Sequence, residues 1–334
     1  SHFLELFESE GLHVSTWLSI YNKQAIKDSF SKIQPINYGE IIELSDSLTL
    51  EAVSSGFSIG SSNFIFKTKT KKIVYLSNSS LSQSRHCSSI NLESIQDPDI
   101  LIVEDIANRN NVDLSKNWKF PDLRNYDILL QNFVEYLLSH LNNRDSGNIL
   151  LPVRNSIFLL DLIDLFRRKV HNFQKIHIIG TSFEEIVAYS NANVEFVNSI
   201  LNQKIYSDNP EVPFNHTDLV KNGKLVYYKS IDEFQQRASQ FSHQILDTGF
   251  PSLYIISDSS FRIGHAAKML ELFDKTPKGI PALFLTDPHT QDIAWMHAFS
   301  LKKVQIIRCP LDPNLTISEL SELIFKINPG TFIF

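Results

Sequence analysis

Cysteine is nearly missing from this chain. Two of its 334 residues, Cys87 and Cys309, carry thiols, and they lie far apart in unrelated contexts. That excludes a disulfide framework or a cysteine-based zinc cluster and suits a reducing compartment. Long apolar runs are missing too, since none approaches the roughly 20 residues of a membrane-spanning helix. The richest, IFLLDLIDLF at 157–166, is interrupted by Asp161 and Asp164. Nor is there a basic excess: 31 Lys and Arg against 37 Asp and Glu leave a net charge of −6. A chain that binds nucleic acid unaided usually carries the opposite balance, so contact with RNA would need a local patch or a partner. The first residue is Ser1 rather than Met, so the lack of a targeting segment excludes nothing.

The chemistry of a two-metal hydrolase is also lacking. Two zinc ions sharing a site roughly 3.5–4 Å apart need clustered His and Asp ligands. Of the eleven histidines, no two are separated by one residue, and none lies three or four residues from another. A phosphate loop is excluded because no glycine-rich run precedes a Lys-Ser/Thr pair. A serine nucleophile elbow needs a strand–turn–helix context. SSGFSIG (54–60) runs from strand through turn to strand, so Ser58 is not read as a nucleophile.

What remains is the composition of a folded protein, 43% hydrophobic and 20% charged, long enough for one large or two ordinary domains. Apolar spacing in 14–34 predicts a helix. Short strands follow at 40–45, 48–55, 63–69, 71–77 and 99–105, with 63–69 and 71–77 forming a hairpin joined at Thr70. From about residue 125 helices and strands alternate: helix 126–141, strand 148–153, helix 157–170, strand 176–180, helix 183–201. After an irregular segment at 205–216 come strand 252–258, helix 265–273 and strand 281–287. Strand 303–309, helix 317–327 and a last strand at 331–334 close the chain. Repeated strand–helix order predicts a mostly parallel sheet with helices on both faces. The change in composition near 110–125 reads as a domain boundary.

Several local features carry two readings each. Lys67, Lys69, Lys71 and Lys72 are either a phosphate-binding patch or a solvated hairpin tip. GTSFEE (180–185) is either an anion site at a helix N-terminus or a cap with acidic residues in its first turn. Glu104 and Asp105 close a strand at its C-terminal end, the place of a site or of a turn cap. The sequons at Asn78, Asn215 and Asn314 read as chance matches.

Taken together and in order, SSGFSIGSSNFIF, IVYLSNSS, DPDILIVED, NILLPV with its helix, and the returning strand–helix–strand tail resemble the metallo-β-lactamase fold carrying an inserted β-CASP domain. That is the architecture of RNA 3′-end-processing nucleases. In active members the first turn reads Ala-Gly-His-x-x-Gly and a later strand ends in Gly-Asp-Phe-Ser, with that His and Asp binding zinc. The His position falls on Phe57 and the Asp position on Asn78. The late Ser-Ala-His-Thr motif falls on DPNL (312–315), so its His becomes Asn314, while an acidic residue survives as Glu104. The family's Gly-Arg falls on Ile157 and Phe158, its Ser-Pro-Gly within 257–264, and His297 lies near a further histidine position. The upstream His-x-His-x-Asp-His motif would precede Ser1.

The resemblance therefore implies an α/β fold: a partial metallo-β-lactamase αββα sandwich with an inserted β-CASP domain of parallel sheet flanked by helices. It assigns 1–112 to the metallo-β-lactamase domain, 113–300 to the β-CASP domain, and 301–334 to the chain's return. It implies a pseudoenzyme, not an enzyme, with no cofactor and no bound metal. The idiosyncratic segments PFNHTDLVKNGKLVYYKSI, SSFRIG and CPLDPNL point within the family to a nuclear, non-cleaving partner of the catalytic Integrator subunit 11, in a module that also holds subunit 4. That complex trims small nuclear RNA 3′ ends and cuts nascent transcripts, so RNA contact is expected through the complex, and no membrane is involved. Arg262, Lys69, Lys71 and Lys72 are the candidates for partner, RNA or polyanion contact. The family's heterodimerisation region would lie beyond Phe334. Two alternatives stay open: the non-catalytic subunit of the cleavage and polyadenylation factor, and an active endonuclease with substituted ligands.

Overall fold

The computed structural model of the chain describes residues 22–104, 106–107, 125–143, 145–153, 158–169, 175–180, 182–208, 212–214, 216–241, 251–257, 261, 264–274, 280–287 and 304–333. The chain forms two compact units, residues 1–40 and residues 41–334. In the first, helix α1 (Lys23–Phe30) is shorter than the periodicity over 14–34 predicts, although 14–21 lie outside the described residues. Its start is set by Asn22, whose side chain accepts from the Ala25 amide at 2.6 Å.

The second unit is built on two six-stranded sheets. The first contains β1 (Ile41–Ser45), β2 (Leu48–Ser54), β3 (Ser62–Lys67), β4 (Lys72–Leu76), β5 (Ile100–Val103) and β12 (Thr331–Ile333), in the order β1-β2-β3-β4-β5-β12. Strands β1 to β4 form an antiparallel meander, and β5 and β12 add in parallel. The period-2 alternation of β3 to β5 puts Ile65, Val74, Leu76, Leu101 and Val103 on one buried face. Helix α9 (Ile317–Ile327) covers that face with Leu320, Leu323 and Ile327, and begins at a full capping box made by Thr316 and Glu319.

Between β5 and β12 the chain builds the second sheet. Its strands are β6 (Ile149–Val153), β7 (Ile176–Ile179), β8 (Leu225–Tyr228), β9 (Leu253–Ser257), β10 (Ala282–Leu285) and β11 (Gln305–Arg308), ordered β11-β10-β6-β9-β7-β8. Every pairing is parallel. A parallel sheet needs cover on both faces, and its strands read as continuous apolar runs for that reason. Ile149, Leu151 and Val153 pack with α2 (Tyr126–Asn142), α3 (Phe158–Lys169) and α4 (Phe183–Ala192). Leu150, Tyr254 and Ile256 pack on the other face with α7 (Ile231–Phe241) and α8 (His265–Asp274).

Two expectations need correction. The helix expected over 183–201 is three pieces: α4, a 3-10 turn at Val194–Phe196, and α5 (Ser199–Ile205). Tertiary contacts interrupt it: Val197 bridges to Cys87, and Asn198 donates to the Arg85 carbonyl while capping α5. The structure also adds α6 (Thr217–Lys221), β8 and α7 where the sequence offered no regular element. LVYY is too short a run to declare itself as an edge strand.

Candidate functional site

The positions singled out in sequence converge at the C-terminal ends of β4 and β5. The turn between β2 and β3 is closed by the Ser55 amide on the Ser61 carbonyl (3.2 Å) and the Ser61 amide on the Ser58 carbonyl (3.0 Å). Gly56 sits at φ +71°, where an added Cβ would overlap the Ser80 carbonyl and come within 2.9 Å of the Ile90 amide nitrogen. Only glycine fits between the turn and the chain leaving β4. Ser80 donates its amide to the Ser55 carbonyl at 3.0 Å, which brings the Asn78 loop against the Phe57 turn. The Leu315 amide donates to the Ser79 carbonyl at 3.0 Å, and the Leu315 carbonyl accepts from Ala107 at 2.7 Å, which draws in Asn314 and the end of β5. Asn63 joins the pieces from β3: its Oδ1 accepts from the Ser77 amide and the Ser79 hydroxyl at 3.1 and 2.9 Å.

Phe57 is half-buried, Asn78 is exposed and Asn314 is buried. Glu104 is exposed, and the Tyr75 hydroxyl hydrogen-bonds to its carboxylate, which with burial raises the phenol above its ordinary value. Gly56 and Gly60 have the spacing of a nucleophile elbow around Ser58. The Ser58 hydroxyl, however, pairs with the Ser61 hydroxyl at 2.7 Å and the turn runs into a strand. Among the described residues, no three His, Cys, Asp or Glu side chains gather as metal ligands would. The donors at the expected ligand positions are an apolar ring, two neutral amides and one carboxylate, and this set does not fit a pair of divalent ions.

What the sequence reading missed lies directly behind Phe57. The Arg85 guanidinium donates to the Phe57 carbonyl from Nε at 3.1 Å and from Nη2 at 2.5 Å, and lies 5.5 Å from the Phe57 ring centroid. Its Nη1 meets Asp161 Oδ2 at 2.7 Å and the Tyr126 hydroxyl at 3.2 Å. Asp161 Oδ1 in turn accepts from the His86 amide and from His86 Nδ1, both at 2.8 Å. The Arg85 and Asp161 side chains are each 2% exposed. Burial opposes charge on both groups. For Asp161 the charge of Arg85 and the hydrogen bonds from His86 outweigh it and hold the carboxyl below its ordinary value. For Arg85 the partner carboxylate does the same and holds its pKa above the ordinary value, so both remain ionised. Cys87, next along, donates its thiol to the Gly56 carbonyl at 3.2 Å, and burial pushes it up to about 12.

Its charged members come from distant parts of the chain, Arg85 and Asp161 being 76 positions apart: Arg85 and His86 follow the first sheet's β4, while Asp161 stands on α3 of the second. Leu159, Leu160, Leu162, Ile163 and Phe166 around it are core residues. A carboxylate set in the apolar stripe of a helix was the available signal, since an ion there must find a partner.

The remaining candidates scatter. Lys71 pairs with Asp99 at 2.8 Å, Lys67 with Glu51 at 2.9 Å, and Lys72 donates to the Gln96 carbonyl at 2.5 Å. Partial burial and then Lys67 lower the Lys72 ammonium below its ordinary value. The hairpin's positive charge is thus largely engaged by its own neighbours, and Lys69 is exposed. Arg262, His297, Asp105 and Asn215 lie outside the described residues.

Comparison with known proteins follows this geometry. Residues 1–102 match the metallo-beta-lactamase superfamily domain. This is a metallo-beta-lactamase fold. With its meander, its parallel inserted sheet and helices on both faces of that insert, the metallo-beta-lactamase fold agrees with the resemblance read from the motifs. Integrator complex subunit 9 homolog of Nematostella vectensis is 28% identical over 326 residues, 96% of this chain and 45% of that relative. Integrator complex subunit 9 of Mus musculus is 28% identical over 335 residues with the same coverage. The chain thus spans about half the length of the curated relatives it matches. A shorter match, 28% over 86 residues and 26% of the chain, is to the Integrator complex subunit 11 homolog of Dictyostelium discoideum. Among solved structures, a crystal structure of a protein of unknown function from Enterococcus faecalis V583 covers 90% of this chain and 61% of its own at a TM-score of 0.50 and 12% identity, a likeness of fold alone.

Proposed function

We propose that this chain is a non-catalytic subunit of the Integrator complex, a pseudo-nuclease that serves as structural partner of the catalytic subunit 11 in small nuclear RNA 3′-end processing and nascent-transcript cleavage. Subunit 4 belongs to the same module, RNA is contacted through the complex, and the place of action is the nucleus. The observation that carries this reading is Phe57. At the family's His ligand position stands an apolar ring, and a buried guanidinium that never deprotonates is fixed 5.5 Å from its centroid. The guanidinium is neutralised by Asp161 and offers no lone pair, so neither it nor the ring replaces the lost ligand. Asn78 and Asn314, both neutral, supply no anionic ligand for a pair of divalent ions. Similarity to subunit 9 relatives over 96% of the chain supports the choice of complex.

The same reading assigns residues 1–112 and the returning tail to the metallo-β-lactamase domain and the intervening segment to the β-CASP domain. Strand β11 pairs with β10 at the edge of the parallel sheet, and the tail reaches the first sheet through β12, which pairs with β5.

Metal analysis of the purified full-length protein tests the claim. We expect no stoichiometric zinc, and about two tightly bound ions per chain would overturn it. RNA cleavage lost on Glu104→Ala would favour the active-nuclease alternative instead. Co-purification with polyadenylation subunits rather than Integrator subunits would favour the other non-catalytic relative.

A further inference from the structure

Residues 82–88 form no helix or strand, yet Arg85, His86 and Cys87 are buried. An irregular buried segment must find partners for its polar backbone groups outside itself. This one finds them on two sides. Toward the first sheet, the Arg85 guanidinium and the Cys87 thiol donate to the carbonyls of Phe57 and Gly56, and the Ser88 carbonyl accepts from the Ser54 hydroxyl at 3.0 Å. Toward the inserted sheet, the Ser88 amide donates to the Phe196 carbonyl at 2.8 Å, and the His86 carbonyl accepts from the Asn198 amide at 3.0 Å. The Arg85 carbonyl accepts from Asn198 Nδ2 at 2.6 Å, and Cys87 and Val197 form an antiparallel bridge between these bonds. The hydroxyls of Ser82 and Ser84 both donate to Asp127 Oδ1 at the start of α2, Ser84 at 2.7 Å. Together with the charge pair of Arg85 and Asp161, the segment meets α2, α3 and the stretch before α5.

The backbone alone would let the two sheets swing. The chain passes between them twice, after β5 and again after β11. Two crossings leave a hinge as an allowed motion, and the bonds made by 82–88 oppose it. Opening the joint would strip the Phe196 and His86 carbonyls of their partners and part a buried guanidinium from its carboxylate. Both losses are costly in a site that water does not reach. Arg85, Cys87 and Ser88 each bond in both directions, so no plane of separation through the segment avoids them.

We propose that residues 82–88 are a clasp that makes the first sheet and the inserted sheet one cooperative body rather than two hinged ones. A partner bound to either sheet is thereby held at a fixed place relative to the other. A polymer strand passes between them only when the clasp breaks. The clasp is independent of whether the chain binds metal and of the complex it serves.

Native-state hydrogen exchange of the full-length protein reads this coupling. Val74→Ala opens a cavity in the core of the first sheet alone and should speed exchange of the β3 amides at least about tenfold. In one cooperative body the β9 amides of the other sheet follow by the same factor. Asp161→Asn cuts the clasp, and on that background Val74→Ala should move β3 and leave β9 unchanged. Asn198→Ala removes the bond to the Arg85 carbonyl and leaves the charge pair intact. It should loosen the coupling in the same direction, and it serves if Asp161→Asn does not fold. Amides of β9 that ignore Val74→Ala in the parent would overturn the proposal, as would coupling left unchanged in whichever clasp variant folds.

Discussion

Asp161→Asn removes one charge from a pair that is sealed from water. Its carboxylate is the ionic partner of Arg85 at 2.7 Å, and both side chains are 2% exposed. The amide keeps the shape and still accepts from His86, but the guanidinium is left buried and uncompensated. Removing one member of a buried ion pair costs about 3–5 kcal/mol. Set against a total stability of about 5–15 kcal/mol, that is a large share. It corresponds to a fall in melting temperature of roughly 6–20 °C for a domain of a few hundred residues. Urea unfolding of parent, Asp161→Asn, Arg85→Met and the double variant closes a thermodynamic cycle. The double variant should be at least about 2 kcal/mol more stable than the sum of single losses requires, because it no longer buries a lone charge. Acid should expose the same pair. With its folded pKa depressed, Asp161 contributes its full stabilisation above its ordinary value of 3.8 and loses it as pH falls through the folded value. That acid-side loss should be absent in Asp161→Asn. A cost below about 1 kcal/mol, or additive losses in the cycle, would refute the view that this pair pins α3 to the chain behind Phe57.

Two further outcomes are expected. Gly56→Ala should cost more than about 2 kcal/mol, because left-handed backbone strain of about 1–2 kcal/mol adds to an overlap with the Ser80 carbonyl. Gly223→Ala, at φ +65° with open space around it, should show the strain alone, and equal losses at the two sites in urea titrations would contradict the clash. His177 is stacked on Tyr254 at 4.7 Å, and burial, then Lys175, lower it to about 4. The unfolded state therefore binds more protons as pH drops from about 6.5 to 4, and the native state loses roughly 3 kcal/mol from this residue across that window. His177→Phe keeps the stack and should flatten the stability profile there; an unchanged slope would count against the assignment.

Much of the architecture was legible in the chain. Continuous apolar runs such as ILLPV and LYIIS, separated by helical periodicity, announced a parallel sheet buried on both faces, and the structure pairs them that way. The meander and its lysine-tipped hairpin were legible for the same reason, that strand periodicity is local. Where tertiary contacts overrode local pattern the reading failed, as at 183–201, where Val197 and Asn198 turn aside to meet Cys87 and Arg85.

At the site the division is sharper. Residue types alone settle that Phe57, Asn78 and Asn314 bring no charged donor to their positions, because an aromatic ring and an amide lack that chemistry in any fold. Which charge stands behind Phe57 could not be read from a string in which Arg85 and Asp161 lie 76 positions apart. Hydrophobic periodicity placed Asp161 in an apolar helix face without naming its partner. That partner is found only when two sheets close on one another and water leaves the space between them, since an ion pair acquires its strength from burial and neither residue is buried until the chain has folded.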